Sequence, residues 1–189
     1  MQHSDFVHLH LHTKYSLLDG AIRLDPLFKK ADELKVPAIA VTDHGNMFGA
    51  IEFYKKAKKN GIKPIIGCEV YVASQSRFEK SPNHGGEGSN HLTLLVKNQK
   101  GYKNLIKLVS SGFIEGFYYK PRIDKELLAK HSDGLIALSG CLHGEIPQLL
   151  AQEREGEAKK VALQHKEIMG DNKFYLEIQD QGIDGQDKI

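Results

Sequence analysis

Residues 38–73 read AIAVTDHGNMFGAIEFYKKAKKNGIKPIIGCEVYVA, and the alternation inside this stretch sets the fold class. It opens on an apolar run, Ala38 to Val41, of a length that suits a short buried strand. Next come Ile51, Phe53, Tyr54 and Ala57, expected to face inward, with Lys55, Lys56, Lys58 and Lys59 as a solvated helix face. Asn60-Gly61 should stop that helix, because glycine enters the left-handed region at no steric cost. A second apolar run, Pro64 to Ala73, is interrupted at Gly67-Cys68-Glu69. Strand, helix and strand in succession argue for a β-α-β unit.

The same alternation continues on both sides. Phe6 to Leu11 reads as a strand. A helix then opens with Asp25 as N-cap and Pro26 at the first helical position, carrying Leu27, Phe28, Ala31 and Leu34. Residues 74–90 are rich in Ser, Gly and Asn and read as a long exposed loop. His91 to Val96 and Leu135 to Leu138 are further strands, and Phe174 to Ile178 a last one. Helices are expected over Tyr102 to Val109, briefly after Asp124, and over Glu153 to Met169. The pattern predicts an α/β fold of parallel units. Neither GxGxxG nor GxxxxGK[ST] occurs, so a β/α barrel, with its chemistry after the strands at one face, is preferred to a doubly wound sheet.

Bulk properties narrow the class of protein. A chain of 189 residues with 40% hydrophobic and 26% charged residues can bury a proper core and is not disordered. No apolar run spans a bilayer, and MQHSDFVHLHLH lacks the features of a secretory signal, so a cytoplasmic location away from membranes is expected. Cys68 and Cys141 make no disulfide framework. The net charge of +2 neither supports nor excludes a nucleic-acid substrate.

Ten histidines are the compositional departure. His3, His84, His131 and His165 fit scattered surface positions. His8, His10 and His12 alternate with Leu9 and Leu11, which on a strand sets imidazoles side by side, as a metal site requires. His44 follows a strand beside Gly45, where capping the next helix is the bland alternative. Glu69 is a carboxylate inside an apolar run and needs a partner. Cys141 follows Leu135 to Leu138 in the same manner, or is a small buried hydrophobe. Asp19 is a ligand or a turn aspartate. Mixed N and O donors with one thiolate suit Zn or Mn, and such ions promote phosphoester hydrolysis. Phe117 to Arg122 interleaves aromatic and basic groups, so Lys120 and Arg122 are weak candidates for holding a phosphate, a packed loop being the alternative. Glu177 is a candidate to hydrogen-bond a ligand histidine rather than to bind metal itself.

The segments HLHLHTKYSLLDG, AVTDHGNMFGAIEFYKKAKKNGIKPIIGCEVYV, HLTLLVKN, GFYYKPRID and SGCLHGEIPQLL together resemble the PHP domain of the bacterial DNA polymerase III alpha subunit. The resemblance covers nearly the whole chain. It implies a distorted β/α barrel binding up to three Zn or Mn ions. In active members this barrel is a metal-dependent 3′–5′ exonuclease; in others it supports the polymerase or docks a proofreading exonuclease subunit. By position it implies His10, His12, Asp19, His44, Glu69, His91 and Cys141 as metal ligands, with His8 a packing residue. His91 sits awkwardly, since a simple parallel barrel would put it at the wrong end of its strand.

The family closes its site with an Asp-x-His motif that nothing after Ile178 supplies. Residues 1–189 are therefore expected to be one PHP domain, incomplete at its C-terminal end. Alone, it should bind metal weakly and hydrolyse little, within a longer polymerase whose partners are DNA, the remaining polymerase domains and other replisome subunits. Two alternatives stand beside this reading. One is a metal-stapled structural domain without catalysis; the other is a phosphatase of the histidinol-phosphate type.

Overall fold

The computed structural model describes residues 3–17, 19–80, 89–183 and 186. The expectations for His84, for residues 81–88 of the 74–90 loop and for much of the tail lie outside the described residues. Seven strands form one open, mixed sheet: β1 Ala38–Val41, β2 Lys63–Ala73, β3 Ser89–Val96, β4 Phe117–Tyr118, β5 Lys120–Ile123, β6 Leu135–Leu138 and β7 Phe174–Tyr175. β2 is the hub. Its first half pairs with β1 in parallel and its end with β5 in parallel, while β3 lies antiparallel along residues 67–73. β6 is antiparallel to β3, and β7 parallel to β6. The expected all-parallel arrangement is thus corrected, because the long 74–90 connection brings β3 back in the opposite direction. That reversal also removes the difficulty with His91, whose position near the start of β3 lies opposite Tyr71, near the end of β2.

Strand alternation divides β2 and β3 into two faces. Cys68, Val70, Val72, Leu92 and Leu94 enter the main apolar core, beneath α3 Gln99–Ile114, α4 Lys125–His131 and α6 Glu155–Met169. Each leucine fully buried there contributes roughly 1.5–3 kcal/mol. Glu69, Tyr71, His91 and Thr93 are paired in register on the other face. Further along that face Ala40, Leu95 and Leu138, backed by Ile65 and Ile136, make a separate apolar floor. A second core joins α1 Leu24–Glu33 and α2 Ala50–Lys59 to β1, with Phe28 and Phe53 rings 5.4 Å apart.

Several local expectations change. Residues 6–11 run beside β1 with only an isolated bridge, His8 to Ile39. Thr42 Oγ1 takes the Leu11 N–H that a regular ladder would use. α1 begins at Leu24, so Asp25 lies in its first turn, where it pairs with Lys56 instead of capping. Ile51 and Tyr54 are exposed, leaving Phe53 and Ala57 as the inward residues of α2. Gly61, at φ +70°, ends α2 as expected, its N–H bonding Lys58 O while the Ile62 N–H bonds Ala57 O. β2 runs unbroken through Gly67-Cys68-Glu69. The 117–123 segment is a short hairpin, β4 against β5, instead of a loop. A helix absent from the sequence reading, α5 Glu145–Ala151, follows Gly144. No helix among the described residues is long and apolar enough to cross a membrane.

Candidate metal centre

Glu69 is fully buried at the middle of the sheet's second face, and imidazoles surround it. His10 Nε2 lies 3.1 Å and His91 Nδ1 3.2 Å from Oε1; His44 Nδ1 lies 2.5 Å and His12 Nε2 3.6 Å from Oε2. Burial alone would raise the Glu69 pKa. The neighbouring imidazoles of His10, His44 and His91 outweigh it and hold the carboxyl far below the usual range. Cys141 Sγ lies 3.7 Å from Glu69 Oε1 and 3.6 Å from His91 Nδ1. Burial, reinforced by the Glu69 charge, pushes its thiol up to about 12. Asp19 Oδ2 accepts from His44 Nε2 at 2.8 Å.

Local interactions fix how two of these rings point. Asp43, buried after β1, accepts from Thr13 N–H at 2.6 Å, from the Thr13 hydroxyl and from Ser16 Oγ at 2.8 Å. The single Ser16 hydroxyl hydrogen is then spent on Asp43, so His12 Nδ1, 3.0 Å from Ser16 Oγ, is the donor of that pair. The lone pair of His12 is thereby on Nε2. His10 Nδ1 donates to Glu177 Oε1 at 2.6 Å, which puts its lone pair on Nε2 as well. The two Nε2 atoms face each other at 3.1 Å. Two lone pairs at that distance repel unless a positive species is shared between them. A proton is one such species and a metal cation another. Burial lowers both imidazoles, but Glu177 and Glu69 outweigh it for His10, raised to about 9. His12 is left at about 4, with His44 adding to the effect of burial.

The donor set fits divalent cations on a second ground. His44 Nδ1 and Glu69 Oε2 are buried and, despite their proximity, make no hydrogen bond of acceptable geometry among the described residues. A buried polar atom left so costs about 1–3 kcal/mol, which a cation between them would remove. Two trios have ligand atoms mutually within 4.8 Å: His10, His12 and Glu69, and His44, Glu69 and His91. Glu69 belongs to both, and these nitrogen and oxygen donors could hold divalent metal.

The trios open onto a cavity of about 580 Å³ whose wall includes Asp19, Tyr71, Lys120, Cys141 and His143. Gly45 allows this packing. At φ +62°, its Cα approaches Pro121 and Tyr71 so closely that a Cβ would stand 2.8–2.9 Å from them. Every residue proposed as a ligand from the sequence therefore lies at this pocket or, for Glu69, directly beneath it. Lys120 reaches it too, its ammonium 4.8 Å from the Tyr71 ring centre. Arg122 does not, because its guanidinium donates to the carbonyls of Gly116, Arg77 and Glu79. His8 is exposed rather than packed in a core, touching only the edge of Phe6 in ring contact. His165, expected at the surface, is buried against Phe174 with Nε2 3.6 Å from Glu145. The sequence reading gave no role to Asp43, whose partners are distant in sequence, or to His143, whose ring lies 5.2 Å from that of His91.

The chain is 50% identical over 189 residues to the DNA polymerase III subunit alpha of Treponema pallidum, covering 100% of this chain and 16% of that protein. It is 54% identical over 186 residues to the Borreliella burgdorferi subunit and 52% over 187 to that of Thermus aquaticus. The chain spans about 16% of the length of the first two relatives. Among solved structures, a Bifidobacterium adolescentis protein assigned as a metal-dependent phosphoesterase superposes with a TM-score of 0.54 at 13% identity. The match covers 96% of this chain and 80% of that one, a likeness of fold alone. The profile of the PHP domain matches residues 8–181, and the chain belongs to the PHP domain family.

Proposed function

We propose that this domain hydrolyses phosphodiesters at a nucleic-acid 3′ end, in a metal-dependent reaction of the 3′–5′ exonuclease type, as part of a bacterial replicative DNA polymerase. The observation that carries the reading is Glu69, a buried carboxylate common to two histidine groups at the foot of an open, polar cavity. The identity to polymerase alpha subunits supports the larger context, in which DNA and other replisome subunits are the partners.

His10, His12 and Glu69 would hold one ion, and His44, Glu69 and His91 a second, with Asp19 and Cys141 as further donors. Zn or Mn suits this mixture, and a third ion has room only with ligands beyond these trios. Ions held there would supply the Lewis acidity that phosphoester hydrolysis needs. The chain's own residues do the rest. Glu177 and Ser16 fix the rings of His10 and His12. Lys120 offers the pocket an ammonium for a substrate phosphate, and Cys141 must lose its proton before it can bind a metal. The domain is proposed to be completed by residues beyond the segment described, including an Asp-x-His pair.

A second reading, metals as staples without catalysis, is favoured by ligands drawn from six separate segments of the chain. Substituting His12 and Glu69 in the full-length protein separates the two. Loss of 3′ trimming with an unchanged melting temperature in the metal-free protein supports hydrolysis. Unfolding, together with polymerisation lost on chelation, supports the staple and overturns hydrolysis.

A further inference from the structure

Three phenylalanines form an exposed row beside the pocket mouth. Phe48, Phe113 and Phe117 are 65%, 39% and 48% exposed, with ring centres 6.0 Å apart for the first pair and 6.3 Å for the second. Phe48 stands four residues after His44, on the same loop. Phe117 pairs across the hairpin with Pro121, the residue packed against Gly45, and Lys120 of that hairpin lines the pocket. On the other flank Tyr15 packs its ring on Gly49, and Lys14 lies over the Tyr15 ring, partly neutralised by Glu52. The row is thus tied to the metal pocket through the loop that carries His44 and through the β4–β5 hairpin that carries Lys120.

Scattered exposed phenylalanines need no explanation, but a contiguous row of them points to a ligand. The chemistry narrows its class. Flat rings spaced at about 6 Å, beside a hairpin whose Lys120 offers an ammonium to a polar pocket, match the demands of single-stranded nucleic acid, whose unstacked bases have faces to offer aromatic side chains and whose phosphates seek cations. We propose that Phe48, Phe113 and Phe117 form a stacking track for unpaired bases, which guides a single strand toward the metal centre. The proposal rests on the hydrolytic reading of that centre and adds where the strand lies. Stacking is sequence-tolerant, so the track would take any base.

Photocrosslinking of the full-length, chelator-treated protein to an oligothymidylate carrying 5-iodouracil near its 3′ end tests this without requiring cleavage. Adducts mapped by mass spectrometry are expected on Phe48, Phe113 or Phe117. Phe48→Ala and Phe117→Ala should each cut the yield at the row about tenfold, as expected for loss of one stacked base, while Phe117→Tyr preserves it. Absence of adducts on all three residues overturns the proposal. So does a yield unmoved by the alanine variants, and a change of partner binding or oligomeric state at constant yield would mark the row as a protein-docking face. With trimming assayed separately after Mn is restored, adducts without any 3′ trimming would keep the track and remove the hydrolase reading; trimming without adducts would do the reverse.

Discussion

The carboxylates of Asp124 and Glu69 are both buried, and their surroundings treat them differently. Asp124 Oδ1 accepts from Leu127 N–H and Arg77 Nη1, and Oδ2 from Arg77 N–H and the same Nη1, all at 2.9–3.1 Å. Arg77 Nε is in turn bonded to Glu115. Charge and hydrogen-bond capacity close within the fold, so this cluster caps α4 and pins the chain after β2. Around Glu69, four imidazoles and a thiol crowd one carboxylate, yet Oε2 and the facing His44 nitrogen stay without a bond of acceptable geometry. A satisfied buried anion holds structure; an incompletely satisfied one among metal donors is shaped for something added later.

That contrast can be tested hardest at Asp124. Asp124→Ala leaves the partly buried Arg77 with Glu115 as its remaining counter-charge and removes the α4 cap, so unfolding free energy should drop by about 3 kcal/mol. Chemical denaturation should give the same loss with and without chelator. A pH series sharpens the point. Burial alone would raise the Asp124 pKa, but bonds from Arg77 and Leu127 outweigh it and depress it. Its contribution is therefore complete above the unfolded value of about 3.9 and lost as pH falls below it. Asp124→Asn should lack that loss.

Glu69→Gln comes next in size. Excess Zn or Mn at about 100 times its dissociation constant should stabilise the parent protein by about 2.7 kcal/mol. The substitution should abolish that gain in a thermal shift experiment, and a retained gain would remove Glu69 from the site. The smallest effect is at Glu177, which touches His10 and not the proposed ions. Glu177→Gln should weaken metal binding about 10–100-fold by calorimetric titration, with little change in metal-free stability.

Much of the site was legible because strand alternation survives folding. Glu69 with Tyr71, and His91 with Thr93, share a face as their spacing demands, and the His10–His12 pair meets for the same reason even without a regular ladder. The hydrogen bond suggested for Glu177 is made to His10, one of the proposed ligands. Strand direction was not legible, since the long 74–90 connection permits either sense. Asp43 was passed over because its partners, Thr13 and Ser16, are some 30 residues away. α5 escaped notice because Pro147 reads as a break, although proline is tolerated in a first helical turn. His165 looked solvated on a polar helix, yet it is the residue α6 turns toward Phe174.

The antiparallel return of β3 has a corollary for insertions and deletions. Its partner in register fixes which alternate residues look into the cavity. A slip of one position would swing His91 and Thr93 away and bring Leu92 and Leu94 in, greasing the pocket and stranding a histidine in the apolar core. A single residue added within either strand should therefore erase the centre.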